Sequence, residues 1–368
     1  MTAKVGVVGA GVISKQYLDN TATYPDLEIV SVSDLIGELS EIASEKYGIP
    51  THGTPGPDGQ DIIYDNDDVE FVINITNPQA HIDVTLQAVR AGKHVWSEKP
   101  LGLNLEGAKQ LLDESAAKGV QMCCAPDTVF GPGFQTVLRK IRGGEIGRPM
   151  TGLAIMQQPG PDIWHPDPEF LFQVGAGPTL DIGPYYFTAL VLGLGPVVSV
   201  TAGGGKARDV RTVMSGPRAG ANFEVEVPTT ASILLRHASG AVSTVLLTFD
   251  SHLRRQGVLE FGGTDATIVA PDPNMFHGKV VVHKGGEVVE EIEVDGAGMG
   301  RGIGLIDLVR SVKAGIKPRA HAELAYHVLD IMLSVEKAIE SGETKEITSV
   351  PPQIDPIPAD WSPLTAQA

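Results

Sequence analysis

Val5-Gly6-Val7-Val8-Gly9-Ala10-Gly11-Val12-Ile13-Ser14 decides the fold class of this chain. Val5 to Val8 reads as a buried strand, and a helix opens after the glycines and runs through Tyr24. Gly9 permits a tight turn. Gly11 lets backbone N–H groups approach a pyrophosphate at the helix N-terminus. Ser14 stands where a third glycine would pack helix on strand, and serine is small enough for that. The glycines alone are weak evidence. The strand before them and the helix after them make the segment a candidate dinucleotide turn, with Gly9, Gly11, Val12 and Ile13 lining it.

Outward from this turn, strand and helix patterns alternate. Leu27 to Ser33 is a second strand, followed by a helix to Tyr47 and a Gly- and Pro-rich loop over Thr51 to Gly59. Phe71 to Thr76 and His94 to Ser97 are further apolar strands. The helix from Gln79 between them stops at Ala91-Gly92. Asn104 reads as the N-cap of a helix ending at Gly119, and Val120 to Cys124 is the last strand of this half. Such alternation implies a parallel sheet covered on both faces, an N-terminal Rossmann domain over residues 1–125.

Beyond residue 125 the pattern changes. A helix over Gly133 to Arg142 precedes a strand at Met150 to Gln157. A Pro-rich loop and a helix near Asp181 to Leu194 follow. Val197 to Val294 holds several alternating strands, such as Ala231-Ser232-Ile233-Leu234-Leu235, which imply one large, mostly antiparallel open sheet. Helices over Ile303 to Ala314 and Ala322 to Ser341 complete a second α/β domain, residues 126–345. The tail, 346–368, carries five prolines after Val350 and is expected to wrap or dangle.

Composition narrows the function classes. The chain has 368 residues and a formal charge of −17, with aromatics at only 5%. Nucleic acid and anionic membranes need clustered Lys and Arg, so neither is an expected partner. The two cysteines, Cys123 and Cys124, are adjacent and fit a reducing compartment. No apolar run approaches the roughly 18 residues of a spanning helix. Nor does a basic leader precede the first strand, so the expectation is a soluble cytoplasmic protein. No metal-ligand spacing appears, and no catalytic metal is expected.

Asp34 closes the second strand. A carboxylate there accepts from a ribose 2′-hydroxyl and repels a 2′-phosphate, and Leu35 and Ile36 supply no cation. NAD is therefore expected rather than NADP. The alternative is that Asp34 merely caps the next helix. Thr76-Asn77-Pro78 ends another strand at the same edge, where Asn77 is either a ribose or carboxamide contact or a turn residue. Glu98-Lys99-Pro100 follows the strand His94 to Ser97. A lysine there can reach cofactor and substrate, and X–Pro is the bond most tolerant of a cis geometry.

These residues together resemble the glucose–fructose oxidoreductase / inositol dehydrogenase / MocA family. The resemblance is carried by the glycine turn, by Asn77-Pro78 with His81, and by Ala91-Gly92-Lys93-His94-Val95 running into Glu98-Lys99-Pro100. Gly175 to Gly183 and Gly262-Gly263-Thr264-Asp265-Ala266-Thr267 carry it further along the chain. It implies hydride exchange between a nicotinamide and a hydroxyl carbon, commonly of a sugar or cyclitol. It also implies a second domain whose open sheet builds homodimers or homotetramers, and it assigns Thr76, Asn77, His81, Glu98 and Lys99 to the cofactor. Many members carry histidine four residues after the aspartate of the second-domain motif. Here that position is Tyr185.

Asp181 and Tyr185 are spaced i, i+4, which places them on one helical face, whereas Tyr186 points about 100° away. A free tyrosine has a pKa near ~10, too high for a base at neutral pH. A neighbouring ammonium lowers it. Tyr185 is therefore read as the general acid/base, Lys99 as its electrostatic partner, and Asp181 as orienting lysine or substrate. Local sequence equally allows Asp181 as an N-cap and Tyr185 as a buried aromatic. Trp164 could face a sugar ring and His165 bind a hydroxyl, or both could be structural. His327, on a helical pattern, reads more as core than as site. Two other functions fit the scaffold: a redox-neutral enzyme that retains NAD, and a cofactor-binding sensor without turnover.

Overall fold

A computed structural model describes residues 2–54 and 62–366. The chain packs as two units. The first comprises Met1–Phe130, Ala297–Tyr326 and Ile357–Ala368, the second Gly131–Gly296 and His327–Pro356.

In the first unit, β1 (Ala3–Val8), α1 (Ser14–Thr21), β2 (Leu27–Ser33), α2 (Gly37–Tyr47), β3 (Thr51–Gly53), β4 (Phe71–Asn74), α3 (His81–Arg90), β5 (His94–Ser97), α4 (Leu105–Lys118) and β6 (Met122–Cys124) follow in order. The six strands are all parallel, in the order β3-β2-β1-β4-β5-β6. That is the order of a Rossmann sheet, with its reversal between β1 and β4. Strands buried on both faces need apolar residues throughout, and Val5, Val7, Val72, Ile73, Val95 and Trp96 are all fully buried. The expected loop over Thr51 to Gly59 begins instead as β3, whose Thr51 pairs with Ser31. Three residues at a sheet edge carry no periodicity to read. The rest of that expected loop from residue 55 to 59 lies outside the described residues. Asn104 caps α4 as expected, its side chain accepting from the Gly107 N–H at 2.7 Å.

Helix Ile303–Ala314 returns to this sheet. Gly304 lies against Trp96, where a Cβ would come within 2.0 Å of the indole. The end of the chain is fastened here too, rather than dangling. Arg310 donates to Asp26 at 2.9 Å and to the carbonyls of Ser362 and Thr365 at 2.9 and 2.7 Å, and it lies over the Trp361 ring.

The second unit contains α5 (Pro132–Arg142), β7 (Pro149–Gln157), α6 (Gly177–Asp181), α7 (Gly183–Leu194), β8 (Val197–Gly205), β9 (Val210–Thr212), β10 (Asn222–Glu224), β11 (Thr230–His237), β12 (Val242–Thr248), β13 (Arg255–Gly263), β14 (Thr267–Ala270), β15 (Gly278–Lys284), β16 (Glu287–Val294) and β17 (Lys345–Glu346). Nine strands form one sheet, ordered β16-β15-β14-β13-β7-β12-β11-β8-β17. Every pairing in it is antiparallel except that of β7 with β12. Helices α5 and α7 pack on the sheet. On β11, Ala231, Ile233 and Leu235 are buried while Ser232, Leu234 and Arg236 alternate outward, so the other face stands open. Strands β9 and β10 form a separate ribbon.

Candidate active site

Because the strands of the first unit are parallel, their C-terminal ends bring the glycine turn, Asp34, Thr76-Asn77 and Glu98-Lys99-Pro100 to one edge. Gly9 is indispensable there. Its φ is +105°, and a Cβ would come within 2.7 Å of the Ile75 carbonyl oxygen. A Cβ on Gly11 would meet nothing within 4 Å, so backbone on that side of the turn stands open. Ser14 is buried, and its hydroxyl donates to the Gly11 carbonyl at 2.7 Å.

Asp34 does not cap α2, whose N-cap is Ile36. One carboxylate oxygen accepts from the Ala10 N–H at 2.7 Å and the other from the Ile36 N–H at 2.8 Å. Each oxygen keeps a second acceptor site for a ribose hydroxyl. Leu35 and Ile36, next to this carboxylate in sequence, are exposed, as is Val12 of the glycine turn at 93%. The group a dinucleotide requires is thus present: an open backbone turn, an anchored carboxylate, and apolar side chains left uncovered. The residues fit NAD.

Asn77 behaves as a turn residue, its side chain accepting from the Ala80 N–H at 3.1 Å. The Thr76 hydroxyl is held by Asn74 at 2.7 Å. Asn74, which sequence reading passed over, is fully buried and also donates to the His81 carbonyl and Thr85 hydroxyl, fixing the end of β4. His81 is buried as well. Its ring nitrogens face the Pro100 carbonyl at 2.6 Å and the Thr76 carbonyl at 3.1 Å, so it ties two turns together instead of reaching outward. Burial lowers its pKa against the pull of both carbonyls. Glu98 likewise turns inward, to Tyr17 and to the Lys99 N–H. Both side chains support the edge from behind, a direction that strand and helix patterns do not specify. The Lys99–Pro100 bond is cis.

In the second unit, Asp181 ends α6 and Tyr185 lies in the first turn of α7. The expected single helix is therefore two. Pro184 has no N–H to continue the first one, and Ile182 joins them with φ −101° and ψ −31°. Tyr185 is buried. Tyr186 points elsewhere, as helical geometry requires: its hydroxyl accepts from the Gly257 N–H at 2.9 Å, and burial pushes its pKa well up.

Trp164 is 55% exposed, with its ring edge-on to His165, which in turn meets Phe170. His165 Nδ1 accepts from the Asp167 N–H at 3.1 Å, leaving Nε2 as the protonated nitrogen. The loop bearing them is pinned by Arg211. This buried guanidinium donates to Asp162 at 2.6 Å, to the carbonyls of Pro159 and Phe249 at 3.0 and 2.9 Å, and to Asp250. Nothing near Arg211 in sequence signals this role. His327 is fully buried; Val197 N–H donates to one ring nitrogen at 3.0 Å and Ser349 engages the other at 2.8 Å, a core role.

Two family models match this architecture. The "oxidoreductase family, NAD-binding Rossmann fold" model of GFO/IDH/MocA proteins covers residues 3–125, and the GFO/IDH/MocA C-terminal domain model covers 134–269. The chain belongs to the GFO/IDH/MocA oxidoreductase family. Among family relatives, the inositol 2-dehydrogenase of Salmonella typhimurium strain LT2 is 32% identical over 152 residues, 41% of this chain and 44% of that one. An inositol 2-dehydrogenase/D-chiro-inositol 3-dehydrogenase of Lactiplantibacillus plantarum is 28% identical over 149 residues, 40% and 42% of the two chains. The match thus spans less than half the length of these GFO/IDH/MocA proteins. Solved structures extend the likeness to nearly the whole chain. Levoglucosan dehydrogenase in complex with NADH has a TM-score of 0.80 at 21% identity, over 95% of this chain and 100% of that one. Aldose-aldose oxidoreductase of Caulobacter crescentus, complexed with glycerol, has 0.75 at 20% identity, over 94% and 100%. At such identity this likeness establishes the fold.

Proposed function

We propose that this protein is an NAD-dependent oxidoreductase moving hydride between nicotinamide and a hydroxyl carbon of a sugar, cyclitol or related polyol. The observation that carries the reading is the shared edge of the parallel sheet, where the open glycine turn, the anchored Asp34 and the Lys99 turn emerge together. The names of the relatives and structural neighbours support the substrate class. NAD, when bound, supplies the hydride acceptor. The Gly9–Gly11 turn would hold its pyrophosphate and Asp34 its adenosine ribose.

Oxidising an alcohol also requires a base for the hydroxyl proton. Tyr185 is assigned that role, the proton passing to its phenolic oxygen. Lys99, as an ammonium, favours the phenolate, and Asp181 orients lysine or substrate. Trp164 and His165 are assigned to the substrate: an exposed indole face suits the C–H face of a sugar ring, and the imidazole Nε2–H a hydroxyl. The test is a panel of sugars, inositols and their keto forms, followed by nicotinamide absorbance with NAD and with NADH. NADH formation or consumption with at least one polyol is expected; product formed with no net change in free NADH would contradict it.

The open face of the nine-stranded sheet, with Leu234 and Val242 left partly exposed, is assigned to self-association as a homodimer or homotetramer. Light scattering that returned only the monomer mass at micromolar concentration would overturn that assignment. No described helix is long and apolar enough to cross a membrane, and both cysteines are free and buried; we place the protein in the cytoplasm.

A further inference from the structure

A buried set of polar and ionisable groups lies behind the Lys99 turn and has no part in the chemistry assigned above. Glu98 is 6% exposed. Its Oε2 accepts from the backbone N–H of Lys99 at 2.9 Å, and its Oε1 accepts from the Tyr17 hydroxyl at 2.7 Å. Tyr17 is fully buried in α1, and its oxygen accepts in turn from the Trp96 indole N–H at 3.1 Å. One carboxylate therefore joins the lysine's own backbone to the helix that follows the glycine turn. A second buried carboxylate, Asp127, accepts from the Gly302 N–H at 2.6 Å and from Arg301 at 3.1 Å.

The charged and titratable groups that act on these two carboxylates come from every neighbouring element. Asp127 faces Tyr17, Tyr24, Glu98 and Arg301. Glu98 faces Tyr17, Asp127, His81 and the Cys124 thiol. Lys99 acts on His81 and Cys124, so its charge is felt within the same assembly. Burial, opposed by Arg301 and helped to a lesser degree by the charge of Glu98, pushes Asp127 up to about 6.

We propose that Tyr17 is a positioning residue for Lys99, acting through Glu98. The proposal rests on the reading of Lys99 as part of the catalytic machinery. A buried carboxylate oxygen that loses its donor is left unsatisfied, which is costly. Without the Tyr17 hydroxyl, Glu98 relieves that cost by turning away, and Lys99 loses both its backbone anchor and a nearby negative charge. An ammonium next to fewer negative charges gives up its proton more readily.

The test is a carbon-13 dimethyl-lysine NMR titration of the intact protein, with Lys99→Arg identifying the resonance. It reads Lys99 without any substrate, so its outcome is separate from whether a polyol is turned over. Tyr17→Phe and Glu98→Gln are each expected to lower the Lys99 titration by about one pH unit. In the polyol assay kcat should fall about tenfold with KM and NADH affinity within about twofold. Lys99 titrating in Tyr17→Phe as in wild type would overturn the Tyr17 assignment. Should Tyr17→Phe not fold, an unshifted Lys99 in Glu98→Gln overturns the assignment, because Tyr17 acts only through Glu98.

Discussion

Asp34 serves the glycine turn through Ala10 and, on the account given above, the cofactor through its remaining acceptor sites. Asp34→Ala is therefore expected to weaken NADH binding by about tenfold or more, while NADPH binding is held or improved because the repulsion of a 2′-phosphate is gone. Fluorescence titration with both cofactors checks this. Tighter NADPH than NADH binding in the wild type would contradict it. At this scale the sequence is legible where backbone geometry dictates the answer. Gly9 had to be glycine, Asp34 had to end β2, and Tyr186 had to diverge from Tyr185 by one residue's rotation. It is illegible where a side chain's direction depends on what lies behind it. His81 and Glu98 stand in the right turns but point inward, to partners 19 and 81 residues away. Asn74 and Arg211 had no local signal at all.

At the scale of elements, long patterned strands and helices were readable, and short or interrupted ones were not. Strand β3 is too short to show a period, and the break between α6 and α7 hinges on Pro184 lacking an N–H rather than on hydrophobic pattern. The helix Ile303–Ala314 was readable, but the reason for its Gly304 was not, because Trp96 lies 208 residues earlier. In an exposed helix Gly→Ala gains about 1 kcal/mol of propensity. Here the added methyl would sit 2.0 Å from a rigid, fully buried indole. Overpacking of this kind costs about 1–3 kcal/mol or more, so the clash outweighs the gain. Gly304→Ala is expected to lower stability by about 1–2 kcal/mol in denaturant unfolding followed by Trp fluorescence; a stabilised variant would contradict the packing described.

Over the whole molecule, the sequence pattern predicts two α/β regions as consecutive segments. The chain instead returns to the first unit twice, through Ala297–Tyr326 and Ile357–Ala368. Arg310 gathers Asp26 and the end of the chain into one cluster, and nothing in a local window reports such a return. Acid should weaken the fold through buried histidine. Burial holds His327 down at about 4, so its neutral form stabilises the protein above pH ~6.5, and that contribution, roughly 3 kcal/mol, is lost as pH falls toward 4. His327→Gln, which can still accept from Val197 and donate to Ser349, should therefore show a smaller drop in Tm between pH 7 and 5 than the wild type. An equal drop would remove His327 from the account. The role of Tyr185 as the base is read from the turnover of Tyr185→Phe on a polyol that the wild type oxidises, with Tyr186→Phe as the control. A loss of about 100-fold or more in kcat is expected for Tyr185→Phe at undiminished NADH affinity, and little change for Tyr186→Phe. Undiminished turnover in Tyr185→Phe would contradict it.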